Sequence, residues 1–536
     1  MKNMKRWVAL LATATMVVSA FAGCGGGNSA GSSAASGSKE KVLKFGCAEY
    51  SDGMVDGCME VNGAWNAMRY GITECLFKFD DNMVAQPQLI EKMDESEDHT
   101  TFTFTLKDGI KFSNGADMTA TKVKESFTRL LTEGKDGKAS PGTYLPYDTE
   151  ITADDAKKTV VFKTKEPQVN LAGRLANPVM AVVDVTGTKD FNNGVIGTGP
   201  YAIESFKDKV GYEMVANKNY RVEVPYDRVS IMYMGDAKAK TNALKSGQVD
   251  LVENITQAAD IAELQADSNY TVEITSGIRT GFSWLNQAEG KALSNTALRK
   301  AIIMSVDMEA VCTSKTIGGL YKAGFAALPS SIDWGYDKLT NTYKYDPEGA
   351  KKLLDDAGIK DTDGDGWREL NGKKITLSYD SYDNRLLNEF SDAYTQYIKE
   401  IGIDVKADYG TSDDQAKKKA AGNYDLSNNN WTTVGTGDPQ DYLANWYSNK
   451  EDGGKSATCG YKNAEYDKIY AEFKREFDMT KRKELAVKLQ QILIDDAVIL
   501  VDGYYSSSMI YSKNVGKAHI ATADYYWLTS DVVPAA

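Results

Sequence analysis

Gly194–Val252 reads GVIGTGPYAIESFKDKVGYEMVANKNYRVEVPYDRVSIMYMGDAKAKTNALKSGQVDLV, and the order of its parts decides the fold. Gly197, Gly199 and Pro200 force a tight turn, because glycine tolerates a positive φ and proline fixes its own. Short alternating stretches follow: Tyr201, Ile203 and Phe206 share one side of a strand, with Tyr212, Met214 and Val215 in its neighbour. Another strand, 229–233, runs into a helical stretch from Ala237 to Ser246. Gly247 stands where a helix C-cap needs it, and 249–252 leaves as a buried strand. A Gly-Thr-Gly run can cradle phosphate. Here Pro200 removes an amide that a phosphate would need and Ala202 replaces the third glycine, so a nucleotide loop is set aside.

The sequence of GTGPY, hairpin, Asn217-x-Asn219-Tyr220, Pro225 and a helix ending in Ser-Gly-x-x-Asp resembles the signature region of the family 5 extracellular solute-binding proteins, the peptide and nickel receptors of ABC importers. Other stretches are similar to the same family: Tyr70–Leu131, with TFTFTLKDGIKFSNGADMTATKVKESFTRLL; SNTALRKAIIMSVDMEAV at Ser294–Val311; YDPEGAKKLLDDAGI at Tyr345–Ile359; and YIKEIGIDV at Tyr397–Val405. The resemblance implies an α/β, two-lobed periplasmic-binding-protein-like fold, type II with an extra subdomain and the ligand cleft between lobes. Residues 42–85, 185–285 and 502–536 are expected in lobe I, 86–184 in an inserted subdomain, and 286–501 in lobe II. It also implies a binding protein rather than an enzyme. The receptor would capture di- or oligopeptides outside the membrane and hand them to a permease with its ATPase subunits. The alternative ligands are a nickel chelate or metallophore, or another small solute. A monomer on the extracytoplasmic face is expected.

Size and charge agree with this class. A chain of 536 residues is too long for one core, and 42% hydrophobic with 26% charged residues is ordinary for soluble globular lobes. A net charge of −13 argues against nucleic acid as partner. Lys2, Lys5 and Arg6 precede an uncharged apolar run, Trp7–Ala22, which is the pattern of a secretory signal. Phe21-Ala22-Gly23-Cys24 resembles a bacterial lipoprotein lipobox, so 1–23 is read as signal peptide and Cys24 as the lipidated residue; plain cleavage near Ala22 is the alternative. Residues 24–40, nearly all Gly, Ser and Ala, form a flexible tether. The remaining five cysteines, Cys47, Cys58, Cys75, Cys312 and Cys459, are odd in number, so at least one is unpaired. No CxxC supports a structural zinc.

Local rules place the elements. Thr119 caps a helix through Val123, Phe127, Leu130 and Leu131; Asp346-Pro347 opens another that Gly358 stops; and Thr480 is read as the cap of the helix holding Leu485, Leu489 and Ile492. Residues 498–501 are expected to cross back to lobe I. Trp65, Met68 and Ile72 share a helical face that reads as core.

Little in the chain suggests catalysis. Only His99 and His519 exist, no G-x-S-x-G elbow occurs, and Gly454-Lys455-Ser456 lacks the first glycine of a P-loop, with Asn449 in its place. Asp361, Asp363, Asp365 and Glu369 alternate around a glycine turn as Ca²⁺ ligands do, although Gly372 stands where a full EF-hand places its last carboxylate. The other reading is a hairpin loop held by side-chain to backbone bonds. By the resemblance, the cleft is lined by the strand edge Ala48-Glu49-Tyr50 and by Trp431, Thr432, Thr433 and Asp438. Peptide-binding members carry an aspartate three residues after the tryptophan, where this chain has Val434. Nickel-binding members offer an arginine and a histidine where this chain has Val179 and Gln440. Asp438 is therefore expected to swing in and hold a peptide ammonium, with Trp431 packing on the ligand and Glu49 as second anchor. The alternative is that Asp438 caps a helix from Pro439.

Overall fold

The computed structural model describes residues 40–48, 50–51 and 53–536. The expected lipidation site Cys24, the tether and Glu49 lie outside the described residues.

The hairpin read from the signature stretch forms as Tyr201–Lys207 against Gly211–Ala216. A register shift between Ile203 and Ser205 inserts one residue, which is how Phe206 rejoins the face of Ile203. This hairpin is one edge of an eleven-stranded sheet. From the opposite edge the order is Asp404–Gly410, Thr376–Tyr382, Leu426–Thr432, Tyr270–Leu285, Ile499–Ser512, Leu251–Glu253, Val42–Cys47, Arg228–Tyr233, Gly211–Ala216 and Tyr201–Lys207. Tyr321–Lys322 pairs on Ile499–Ser512 as a side strand.

Two members, of 16 and 14 residues, are the longest strands and pair antiparallel: Tyr270–Leu285 and Ile499–Ser512. The strand expected over 498–501 is the start of a longer one, Ile499–Ser512. Their ladder breaks register between Ser276 and Arg279 and again between Gly281 and Phe282. Extra residues at such points locally bend a strand and increase its twist.

A separate four-stranded antiparallel sheet within Ile90–Lys163 carries the helix Ala120–Thr132. Thr119 accepts from Lys122 N and Asp346 from Gly349 N, as local rules require. Thr480 does not cap its helix: Asp478, two residues earlier, accepts from the amides of Thr480 and Lys481. Aspartate is as good a cap as threonine, and the acceptor was one turn position upstream. All five described cysteines are buried and free. Among the described residues no helix is long and apolar enough to cross a membrane.

Candidate functional site

The sheet floor between the lobes is where the chain gathers charge. Arg279 and Tyr505 are register partners on the two long strands, at the first break in the ladder. Tyr321 pairs with Tyr505, and its hydroxyl donates to the Arg385 carbonyl at 2.7 Å and accepts from Asn430 Nδ2 at 2.9 Å. Arg385 and Leu386 are consecutive non-glycine residues at positive φ, +47° and +62°. Such backbone costs on the order of 1–3 kcal/mol per residue and gathers at functional sites. Here it turns the chain between a strand and the helix Leu387–Glu400, and Arg385 lies 5.6 Å from the Tyr505 ring centroid.

A second arginine reaches the same aspartate as Arg279, Asp524. The helix Val61–Arg69 ends in Arg69, whose side chain is 2% exposed. Its Nε donates to the Asp524 carbonyl at 2.9 Å and its Nη2 to Asp524 Oδ2 at 2.6 Å, while Trp527 Nε1 donates to Oδ1. Three rings, Trp527, Trp65 and Tyr50, surround the guanidinium at 4.4, 4.8 and 5.1 Å. Trp65, read from sequence as core, is half-buried and also lies 5.8 Å from Arg279. Met68 and Ile72 are core as expected.

Arg279 is the unmatched member. Its side chain is 12% exposed, its Nε is buried without a partner, and its nearest carboxylate, Asp524, is 4.0 Å away. Burial, and after it the neighbouring Arg385, pull its pKa down to about 10. Arg69 and Arg279 thus share Asp524, with Arg385 at the Tyr505 ring nearby, in an aromatic chamber of Tyr50, Trp65, Tyr505, Tyr525 and Trp527. Such a chamber can take a ligand carboxylate on guanidinium groups that have donors to spare.

The expected site residues fall in different places. Tyr50 is at the chamber, its carbonyl accepting from Asn66 Nδ2 at 2.9 Å. Ala48 N donates to Glu253 Oε1, and Glu253 is fully buried against Lys240 at 2.6 Å. Thr432 is the register partner of Arg279, and Thr433 is pinned by its amide and hydroxyl to the Ile278 carbonyl. Trp431 pairs with Thr280, so strand alternation turns it to the face opposite Arg279; it packs on Trp284 and Phe282 at 5.6 and 5.8 Å. It is a packing residue of that other face, not a lid on the chamber.

Asp438 is a correction of larger consequence. Arg482 Nε and Nη2 hold its two oxygens at 2.6 and 3.0 Å, and Gln440 N donates to Oδ1. Both side chains are almost wholly buried. The carboxylate is committed, and swinging it toward a ligand would strand a buried guanidinium. The loop before it is pinned as well: Gly435 O accepts from Tyr525 Oη and Thr436 O from Asn170 Nδ2.

Arg69, Arg279, Arg385 and Asp524 were not singled out by sequence reasoning. The available signal was Arg279 itself, a charge inside the otherwise uncharged stretch SGIRTGFSWL.

Elsewhere in the chain, carboxylate oxygens of Asp361, Asp363, Asp365 and Glu369 converge within 4.8 Å of one another. The three aspartates are exposed and Glu369 is buried. Each carboxylate also accepts a backbone amide of the loop, from Gly364 and Gly366 to Asp361, Asp365 to Asp363, Trp367 to Asp365 and Thr362 to Glu369.

Comparison with known proteins gives a consistent picture. Residues 84–454 match the family described as bacterial extracellular solute-binding proteins, family 5. The chain is 26% identical over 413 residues to the probable D,D-dipeptide-binding periplasmic protein DdpA of Escherichia coli, covering 75% of this chain and 76% of that one. It is 27% identical over 423 residues to the nickel-binding protein NikA of Staphylococcus aureus, covering 78% and 80%. The crystal structure of NikA from Brucella suis in complex with Fe(III)-EDTA superposes with a TM-score of 0.81 at 20% identity, over 92% of this chain and all of that one.

Proposed function

Because the chain belongs to the bacterial extracellular solute-binding proteins of family 5, we propose that it is the receptor of an ABC importer, capturing peptides outside the membrane and delivering them to the permease. Relatives named as peptide-binding receptors support this ligand class. The observation that carries the mode of capture is the pair Arg279 and Arg385, near enough for each charge to act on the other, with Arg279 Nε buried and unpartnered. A peptide's terminal carboxylate bridging them would favour the closed arrangement of the lobes, since it neutralises like charges contributed by the hinge strand and by lobe II. Main-chain pairing along this edge would be left to the Ala48 carbonyl and the Tyr50 amide, since Ala48 N and the Tyr50 carbonyl already have partners within the protein. The ligand is held and released unchanged.

A nickel chelate is the second reading, favoured by the same arginines, because a chelator's free carboxylates would meet them equally well. Bare Ni²⁺ has no imidazole near the chamber among the described residues. The membrane is reached through a lipid on Cys24, and the Asp361–Glu369 loop takes a structural Ca²⁺; both rest on motif and, for the loop, on the convergence of four carboxylates.

Calorimetry with a bound peptide found by screening, and with its C-terminal amide, tests the carboxylate reading. Amidation should weaken binding tenfold or more, and Arg385→Ala should erase the difference. Equal affinity of acid and amide in the wild type would contradict it.

A further inference from the structure

One residue of the long-strand ladder has no partner opposite it. Gly281 pairs with Gly503 and Phe282 with Val501, so Asp502 is the extra residue at the second break in register. Asp502 is 0% exposed, and neither of its carboxylate oxygens has a hydrogen-bond partner. Two glycines make its seat. A Cβ on Gly281 would stand 3.1 Å from both Cβ and Oδ2 of Asp502, so the carboxyl lies across the bare backbone of the neighbouring strand. Gly503 has a φ of +123°, and a Cβ there would meet the Lys322 carbonyl oxygen at 2.6 Å.

The groups that face this carboxyl are neutral. Tyr321 comes from the side strand, Tyr379 from Thr376–Tyr382, Tyr394 from the helix Leu387–Glu400 and Cys312 from the helix Met308–Thr313. A charge on Asp502 pushes up the pKa of all four. Their hydrogen bonds are spent elsewhere. Tyr321 Oη donates to the Arg385 carbonyl, Tyr379 Oη is bonded to Ser283 Oγ at 2.6 Å, and Tyr394 Oη donates to Met308 Sδ at 2.9 Å. Cys312 Sγ donates to the backbone carbonyl of Asp502 at 3.3 Å, not to its side chain. Burial raises the Asp502 pKa well above the carboxylate range, and among the described residues the Tyr394 hydroxyl alone pulls the other way. An acid sealed away without counter-ion or donor takes up a proton rather than stay charged.

We propose that Asp502 is a proton lock on the bulge between the two long strands: the ladder closes around the neutral carboxylic acid, and loss of its proton to water loosens the strands there. Tyr321 joins the lock to the candidate site, since the ring beside Asp502 also fixes the Arg385 carbonyl and the Asn430 amide through its hydroxyl. The lock needs no ligand, so it stands apart from the peptide reading.

Infrared spectroscopy, urea unfolding against pH and hydrogen exchange test the lock on the wild-type chain, Asp502→Asn and Asp502→Leu. At neutral pH the wild type should show the C=O band of a protonated carboxyl that both variants lack. The folded chain holds this proton while the unfolded chain, with an ordinary carboxyl of pKa 3.8, has lost it. The wild-type folding constant should therefore fall, relative to either variant, by about tenfold per pH unit above neutrality until the lock itself ionises. Beyond that pH, amides 281–282 and 501–503 should exchange faster in the wild type than in Asp502→Leu. Equal pH slopes in wild type and variants, or no protonated band in the wild type at neutral pH, would overturn the lock. A band that titrates away with no change in exchange at the bulge would overturn it too, leaving a neutral acid that locks nothing. If neither variant folds, the band and the exchange of the wild type across its own titration decide the matter.

Discussion

Arg482 carries the Asp438 carboxylate on two nitrogens while 1% of its own side chain meets solvent. Removing either partner strands a charge in the interior, which costs roughly 3–5 kcal/mol. Arg482→Ala and Asp438→Asn should therefore lower stability in urea unfolding by amounts of that order, with Arg482→Ala leaving the affinity of the surviving folded fraction unchanged. Asp380 gives a pH dependence. Burial, opposed by Lys418, raises its pKa from 3.8 to about 6. The folded state thus holds this proton more tightly than the unfolded chain. The resulting penalty is absent below pH 3.8, grows between there and pH 6, and is complete above. Asp380→Asn should stabilise the protein at pH 7.5 by something on the order of 2–3 kcal/mol and leave it nearly unchanged at pH 3.5, as read by unfolding at the two values. The caps Thr119 and Asp346 were legible because a cap is decided by three or four neighbouring residues. Asp438 was not, because its partner lies 44 positions away and nothing local marks Arg482 as buried.

At the scale of elements, periodicity carried most of what could be read. The hairpin after GTGPY, the helix Ala120–Thr132 and the helix Pro347–Asp356 all stand within a residue or two of where alternation and capping put them. The two long strands escaped because their pairing joins residues more than two hundred positions apart, and Ile499–Ser512, buried along nearly its whole length, shows no alternation to read. The face of Trp431 could not be read for the same reason: a single residue of register decides whether it shares the side of Arg279 or lies on the other. The Asp361–Glu369 loop makes its own prediction. Ca²⁺ bound by the folded chain alone raises the Tm by mass action. Addition of millimolar Ca²⁺ should raise the Tm of the wild type and not that of Asp363→Ala. No rise in the wild type leaves a turn held by its own amides.

For the whole molecule, a sheet continuous through two lobes and broken in register at 276–282 fits a receptor that closes about a bend in two strands rather than by sliding of packed helices. A lipid at Cys24 would hold such a receptor near its permease on the tether 24–40. Cys24→Ala should move the protein from the membrane fraction to the soluble one in fractionated cells, and retention with the signal removed would contradict the anchor. The central claim is that the chamber captures a carboxylate-bearing solute on Arg279 and Arg385. Its most direct test is mass spectrometry of what is released from natively purified wild-type protein and from the Arg279→Ala/Arg385→Ala double variant. The account predicts a peptide with free carboxylates from the wild type and its loss from the double variant. A released solute without a carboxylate, or the same peptide at equal occupancy in both, would contradict it.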